Sequence, residues 1–160
     1  LDSTAEEEFE IKLRIPKFSK NTLVTVCGEQ ISATAGEYLS VKRKWASGDV
    51  IELVIDMSPR VIHPIGCEKD ENSKNYIAVK YGPLVLARDL RLCPDAGERV
   101  SLAFDENDRI ELKRCKTAPF DTLCEFEVPL TDGGFTKMID YQSAGKTLDE
   151  ASLTEAWMKI

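Results

Sequence analysis

The sequence predicts an all-β protein, an antiparallel β-sandwich of jelly-roll-like type with at most one short helix. Three observations carry this. Phe9-Glu10-Ile11-Lys12-Leu13-Arg14-Ile15 is apolar at every odd position and charged at every even one. A strand sends successive side chains to opposite faces, so this run has one apolar face and one wet face. Similar short runs recur to Ile160, broken each time by turn residues, and no stretch has the length and period of a substantial helix.

The elements follow in order. Phe9–Ile15 is a strand stopped by Pro16, which has no amide to give to a ladder. Thr22–Cys27 is a second, rich in β-formers. Gly28 turns the chain, which returns through Gln30 and Ile31. Tyr38–Lys44 is a third, with Leu39, Val41 and Arg43 opposite Tyr38, Ser40, Lys42 and Lys44. After the Ser47-Gly48-Asp49 turn, Val50–Met57 sets Ile51, Leu53, Ile55 and Met57 against Glu52, Val54 and Asp56. Ser58-Pro59 interrupts that run, and Arg60–Ile65 is a short extended piece. The polar stretch Cys67–Asn75 reads as an exposed loop. The whole of 1–160 reads as one sandwich, with a minor sub-boundary in the loop 66–75.

Tyr76–Tyr81 alternates again. Beyond the Gly82-Pro83 bend, Pro83–Arg88 is nearly continuous in apolar residues, as befits a strand covered on both faces. Val100–Phe104 and Arg109–Lys113 read as a hairpin across Asp105-Glu106-Asn107-Asp108. Leu123–Leu130 and Phe135–Tyr141 are strands on either side of Asp132-Gly133-Gly134. Thr147–Leu153 has room for one helical turn capped by Thr147 or Asp149. Thr154–Ile160 closes as a strand.

Composition bounds the function. A chain of 160 residues buries roughly 70% of the surface its unfolded form exposes, enough for a core without staples. Apolar residues make up 42% and charged residues 31%, the balance of a globular protein. No apolar run approaches the ~20 residues needed to span a bilayer. The net charge is −7, and the basic residues are scattered. A nucleic-acid surface needs a concentrated positive stripe, and an anionic membrane asks for the same. Neither is an expected partner, whereas a neutral sugar fits this balance. The chain opens on polar, acidic residues with neither an initiator Met nor an apolar leader. It reads as an excised or processed piece.

The residues with chemical potential are few. Glu125 and Glu127 lie two apart on one strand, so their carboxyls can sit at the ~5–9.5 Å separation used in glycoside hydrolysis. Alternate Glu on a strand is more simply its wet face. The Asp105–Asp108 loop offers oxygens to a hard cation but lacks the spacing of a calcium loop, and a plain turn is favoured. His63 can act as a base only if a carboxylate orients it, and no neighbour in sequence does so. It reads as a satisfied, partly buried histidine. Gly133-Gly134 has neither the Lys-Ser/Thr pair nor the helix of a phosphate loop. Cys27, Cys67, Cys93, Cys115 and Cys124 form no CxxC pair, and one histidine completes no zinc-finger set. They read as small strand hydrophobes. An oxidising compartment would leave room for one disulfide, with the odd thiol over. Among Tyr38, Trp45, Tyr76, Tyr81 and Trp157, Trp45 at a strand end is the weak candidate for a sugar-stacking platform, with packing at the core edge as its alternative. No catalytic residue, metal ligand or cofactor is assigned.

Several segments together resemble a known family. They are Phe9–Pro16, Cys27-Gly28-Glu29, Ala35-Gly36-Glu37-Tyr38-Leu39, Trp45-Ala46-Ser47-Gly48-Asp49-Val50-Ile51-Glu52-Leu53 with Met57, Tyr81-Gly82-Pro83-Leu84-Val85-Leu86-Ala87, and Ile139-Asp140-Tyr141-Gln142-Ser143-Ala144-Gly145-Lys146-Thr147 with Trp157. In order and spacing they are similar to the C-terminal β-sandwich region of glycoside hydrolase family 127, which groups with β-L-arabinofuranosidases. The resemblance implies an (α/α)₆ barrel elsewhere, holding a cysteine nucleophile and further cysteines and a glutamate around zinc. No position here matches those motifs. At the first hairpin this chain has Cys27-Gly28 where the family tends to use Asn-Gly.

The resemblance implies a non-catalytic accessory domain whose partner is its own catalytic barrel. Pro83–Ala87 and Asp140–Thr147 are the expected contacts, and a parent enzyme exported to a periplasm or beyond is in keeping. The alternative is a carbohydrate-binding module for arabinose-containing, plant-type glycans. A self-contained hydrolase built on Glu125 and Glu127 is the third reading.

Overall fold

The alternation from Phe9 onward builds ladders that are all antiparallel. The computed structural model describes residues 7–66, 72–147 and 153–160. The chain divides into two compact units, Leu1–Met57 and Ser58–Ile160. The loop 66–75 lies inside the second, and its residues 67–71 are outside the described range.

In the first unit, β1 (Glu7–Arg14) pairs with β4 (Tyr38–Trp45), setting Ile11 against Val41 and Leu13 against Leu39. A second sheet has the order β3–β2–β5, from β2 (Leu23–Val26), β3 (Glu29–Ile31) and β5 (Ile51–Val54). Inward residues of both sheets meet in one cluster of Ile15, Val24, Val26, Val41 and Trp45. The alternation thus yields a small two-sheet sandwich. The β2–β3 hairpin turns on two residues of positive φ, Cys27 at 49° and Gly28 at 87°. That is the pattern of a type I′ turn, which matches the strands' twist. Cys27 pays a steric cost that glycine would not, and its Sγ donates to Asp49 Oδ1 at 3.3 Å. Strand β5 departs from the expected pattern. It ends at Val54, and Leu53, Val54 and Ile55 all face solvent. It is the edge of its sheet, so only one side is covered.

In the second unit, β6 (Pro59–Ile62), β7 (Tyr76–Tyr81), β8 (Leu84–Asp89), β9 (Lys113–Arg114), β10 (Glu125–Pro129), β11 (Phe135–Asp140), β12 (Thr154–Glu155) and β13 (Met158–Lys159) form one sheet. Its main path runs β13–β7–β8–β11–β10–β9, with β6 on β7 and β12 on β8. Pro59 is tolerated because it is the first residue of β6, where a missing amide interrupts no ladder. The core holds Val61, Ile77, Val79, Leu86, Phe126, Val128, Met138 and Met158 among others. Strand β8 lies between β7 and β11 in the sheet; Leu86–Asp89 are buried, while Leu84 and Val85 are half-buried.

Two expectations change. The 100–113 hairpin has only a Phe104–Ile110 bridge, because residues 100–104 run beside 129–131 instead. Ala103 N donates to Pro129 O at 2.9 Å and Thr131 N to Ser101 O at 2.9 Å. Thr154–Ile160 is two short strands rather than one, since β12 bonds β8 while β13 bonds β7. The helical turn expected over Thr147–Leu153 falls mostly outside the described residues. Among those described, the helical element is a 3₁₀ turn at Ser73–Asn75, and no helix is long and apolar enough to cross a membrane.

Trp45 is the largest side chain in the first unit's core, and its Nε1 donates to Phe9 O at 3.0 Å. Replacing a buried tryptophan with alanine leaves a cavity and an unpaired carbonyl, at a cost of about 3–5 kcal/mol. Trp45→Ala is therefore expected to lower amide-exchange protection at Val24 and Val41 by that amount, while Trp45→Phe loses clearly less.

Candidate functional site

Glu125 and Glu127 share a face of β10, as their spacing requires, but their environments differ. Glu125 is 2% exposed rather than wet. Its Oε2 accepts from Thr117 N at 2.8 Å and Ala118 N at 2.9 Å, and its Oε1 from the Thr117 hydroxyl at 2.6 Å. Burial pushes this carboxyl up. The hydrogen bonds from the Thr117 hydroxyl, the Ala118 and Thr117 amides and Cys115 outweigh burial and hold it at about 2. Glu127 accepts from Lys113 Nζ at 2.7 Å and stands opposite both Lys113 and Lys137 in the ladders. Lys137 Nζ donates to Thr117 Oγ1, so the hydroxyl is held between a cation and a carboxylate. Such a chain resembles an activated hydroxyl. A carboxylate that binds its proton only near pH 2 is a poor base, however, and the arrangement acts as a latch for residues 115–118. A catalytic acid needs the opposite displacement.

The other candidates separate in the same way. Trp45 is 1% exposed, beneath Phe9 and Arg43, and offers no face to a sugar; the core-packing alternative describes it. His63 is exposed, not partly buried, and has a partner 45 residues away: its Nε2 lies 3.0 Å from Asp108 Oδ1. Among the described residues no hydroxyl or thiol is hydrogen-bonded to this surface pair. The 105–108 loop is a turn closed by its own side chain, Asp105 Oδ1 accepting from Asn107 N and Arg109 N. Cys93 and Cys124 are buried, Cys115 half-buried, Cys27 exposed, and none of these four is in a disulfide. Cys67 lies outside the described residues. Burial, with Glu125 beside it, pushes the Cys115 thiol up to about 11, so it is not a ready nucleophile. Among the described residues no three His, Cys, Asp or Glu side chains are placed to hold a metal ion.

Sequence reasoning missed a buried polar network. Arg88 is fully buried; its Nη1 donates to Glu155 and Glu98 O, each at 3.0 Å, and its Nη2 to Asp95. Arg91 grips Asp89 with two bonds of 2.8 and 2.6 Å, and Gly145 N donates to Asp89 at 3.0 Å. Asp140 accepts from Leu123 N, Cys124 N and Ser143 N. The Asp140–Gly145 motif is thus a clamp that fastens two irregular segments to the sheet.

The same sheet face ends in two shallow hollows. One of about 230 Å³ has Lys113, Glu127, Gly134 and Phe135 around it. The other, about 910 Å³, has Phe104, Asp105, Arg109 and Thr131. Glu111 and Pro129 line both.

Fold and site define an all-β, two-unit module in which the buried carboxylates are tied up in holding the second unit together. Residues 1–57 match the family model for the β-L-arabinofuranosidase GH127 middle domain. No curated protein matches the chain at a significant level. Among solved structures, the chain is similar to one titled glycoside hydrolase, with 22% identity, a TM-score of 0.68, and coverage of 95% of this chain and 28% of that one. The GH127 β-arabinofuranosidase BT3674 gives 22%, 0.68, 98% and 28%. Ara127N, a GH127 β-L-arabinofuranosidase from Geobacillus stearothermophilus T6, gives 17%, 0.70, 98% and 27%. The chain therefore spans little more than a quarter of the length of these proteins. At such identities the likeness establishes the fold.

The sign of the Glu125 displacement fixes an acid response. Its ordinary value is 4.5 and its folded value about 2. The stabilisation is present above about pH 4.5 and is lost as pH falls toward 2. Asp89 and Asp140 are also held below their ordinary 3.8, burial being outweighed by bonds from Arg91 and Gly145 and from Ser143, Cys124 and Leu123. The urea midpoint of the second unit should fall across that window. Glu125→Gln should lower the midpoint at neutral pH and flatten its dependence on acid, measured by circular dichroism.

Proposed function

We propose that this chain is the non-catalytic β module of a glycoside hydrolase of the GH127 type, supporting a catalytic barrel supplied by the rest of a parent polypeptide. The observation that carries the reading is coverage. Nearly all of this chain superposes on little more than a quarter of each relative, so most of each of those enzymes has no counterpart here. The carboxylates support it too. The one acid pair that spacing singled out has one member locked in its charged form and the other salt-bridged.

A supporting module must offer apolar surface to what it supports. In Pro83–Ala87, Pro83 is exposed and Leu84 and Val85 half-buried, while Leu86 and Ala87 belong to the interior. The first unit also offers apolar surface: Leu23 and Val54 are direct cross-strand partners, and both are exposed. In the Asp140–Thr147 segment, Tyr141 is exposed while Asp140 and Ser143 are committed to the clamp.

The test is hydrolysis of 4-nitrophenyl L-arabinofuranosides of both anomers by the purified chain. The expected result is release no faster than in buffer, unchanged by Glu125→Gln or Glu127→Gln. Turnover that either substitution abolishes would overturn the reading.

A further inference from the structure

We propose that two copies of this chain associate through the open edge of β5, pairing antiparallel about Leu53 so that the β3–β2–β5 sheet of one copy continues into that of the other. This goes beyond the supporting role and does not depend on it. Strand β5 ends its sheet and, among the described residues, pairs with β2 alone. Natural sheet edges are guarded by Lys, Pro, a bulge or an inward-pointing charge. Val50-Ile51-Glu52-Leu53-Val54-Ile55 holds neither Lys nor Pro, and Leu53, Val54 and Ile55 are exposed along it. Its charge, Glu52, lies on the face away from the core, because its ladder neighbours Ile51 and Leu53 stand opposite the buried Val26 and Val24.

The register decides which backbone groups the edge presents. Cys27 N donates to Val50 O at 2.9 Å, so Cys27 and Val50 are a bonded pair. In an antiparallel ladder bonded pairs recur at every second residue. Glu52 and Val54 therefore bond to β2, while Ile51 and Leu53 turn their N–H and C=O outward. Asp56 N donates inward to Ser19 Oγ at 2.7 Å, which carries the alternation past the end of the strand and leaves Ile55 outward as well. Ile51, Leu53 and Ile55 thus offer a row of donors and acceptors to an added strand.

A second copy fits this row by its own symmetry. A two-fold axis perpendicular to the sheet at Leu53 sets Leu53 against Leu53 of the second copy, and Ile51 against Ile55 on either side. These side chains share the face of Val24 and Val26. Leu53 and Ile55 are each 37% exposed there, at the rim of the first unit's core. The pairing covers that rim with Leu–Leu and Ile–Ile contacts. On the other face Glu52 stands opposite Val54 and Asp56 opposite Val50, so no like charges meet. Neighbouring registers fit less well. An axis at Ile51 brings Asp49 against Leu53, and one at Ile55 brings Pro59 against Ile51. An edge this short buries less than the ~1,200 Å² of a stable interface, so the association is weak, with Kd on the order of 10⁻⁴ M.

The experiment is analytical ultracentrifugation of the whole chain from about 10 μM to about 1 mM, bracketing that affinity, with amide hydrogen exchange at both ends of the range. A monomer–dimer equilibrium is expected. Exchange at Ile51, Leu53 and Ile55 should slow with concentration, whereas Glu52 and Val54 are protected throughout by β2. Leu53→Lys sets two cations against each other at the axis and should weaken association at least about tenfold. Leu53→Pro removes the outward amide without touching the β2 ladder and should act in the same direction. Retained protection at Val24 identifies the variants as folded. Leu23→Lys charges the outer face of β2 and should leave association unchanged. A chain still monomeric at the highest concentration would overturn the pairing, as would exchange at Ile51, Leu53 and Ile55 that ignores concentration. Dimers that survive both Leu53 variants but dissolve with Leu23→Lys would overturn it in favour of face-to-face contact.

Discussion

Buried charge is the constraint on which the second unit depends. Asp89, Arg88 and Asp140 lie inside, where an unpaired charge is several kcal/mol out of balance. Each is therefore surrounded by donors or acceptors, and those partners come from irregular chain. Asp140 takes amides from Leu123, Cys124 and Ser143. Asp89 takes the Gly145 amide and a two-pronged Arg91. Arg88 gathers Asp95, Glu98 and Glu155. Segments too irregular for ladders are thus held as firmly as strands. The same dependence makes the arrangement unforgiving, because loss of one partner leaves the other charge stranded. Arg88 Nε is already without a partner among the described residues.

The first unit solves the problem by simpler means. Two sheets face each other across Val24, Val26, Val41, Ile15 and Trp45, and the polar complement is local. Asp49 closes the 46–49 turn by accepting from Ala46 N at 3.0 Å. Ser19 Oγ accepts from Asp56 N at 2.7 Å. Such a unit needs alternation and turn chemistry, and little else.

This contrast explains what could be read from the chain. The first unit was legible because period-two patterning determines which face is apolar, and Phe9–Ile15 and Tyr38–Trp45 state it without ambiguity. Alternation assigns a face but not a depth. Glu125 sits on the face opposite Phe126, as read, yet it is buried because residues 115–118 fold over it. Nothing in the local pattern announces that cover. Glu155, one partner of Arg88, and Asp108, the partner of His63, lie 67 and 45 residues away, beyond any motif.

The commitment of the buried carboxylates bears on function directly. A hydrolytic site needs one carboxyl kept protonated by desolvation without compensating donors. Here Glu125, Asp89 and Asp140 have donors in excess, and each is driven toward its charged form. The donors that would have to be removed to free a proton are backbone amides of the segments the carboxylates hold. Conversion to an acid catalyst would therefore unfasten the fold. The rule behind this is general: a charge removed from water must be matched on the spot, and one left in water need not be.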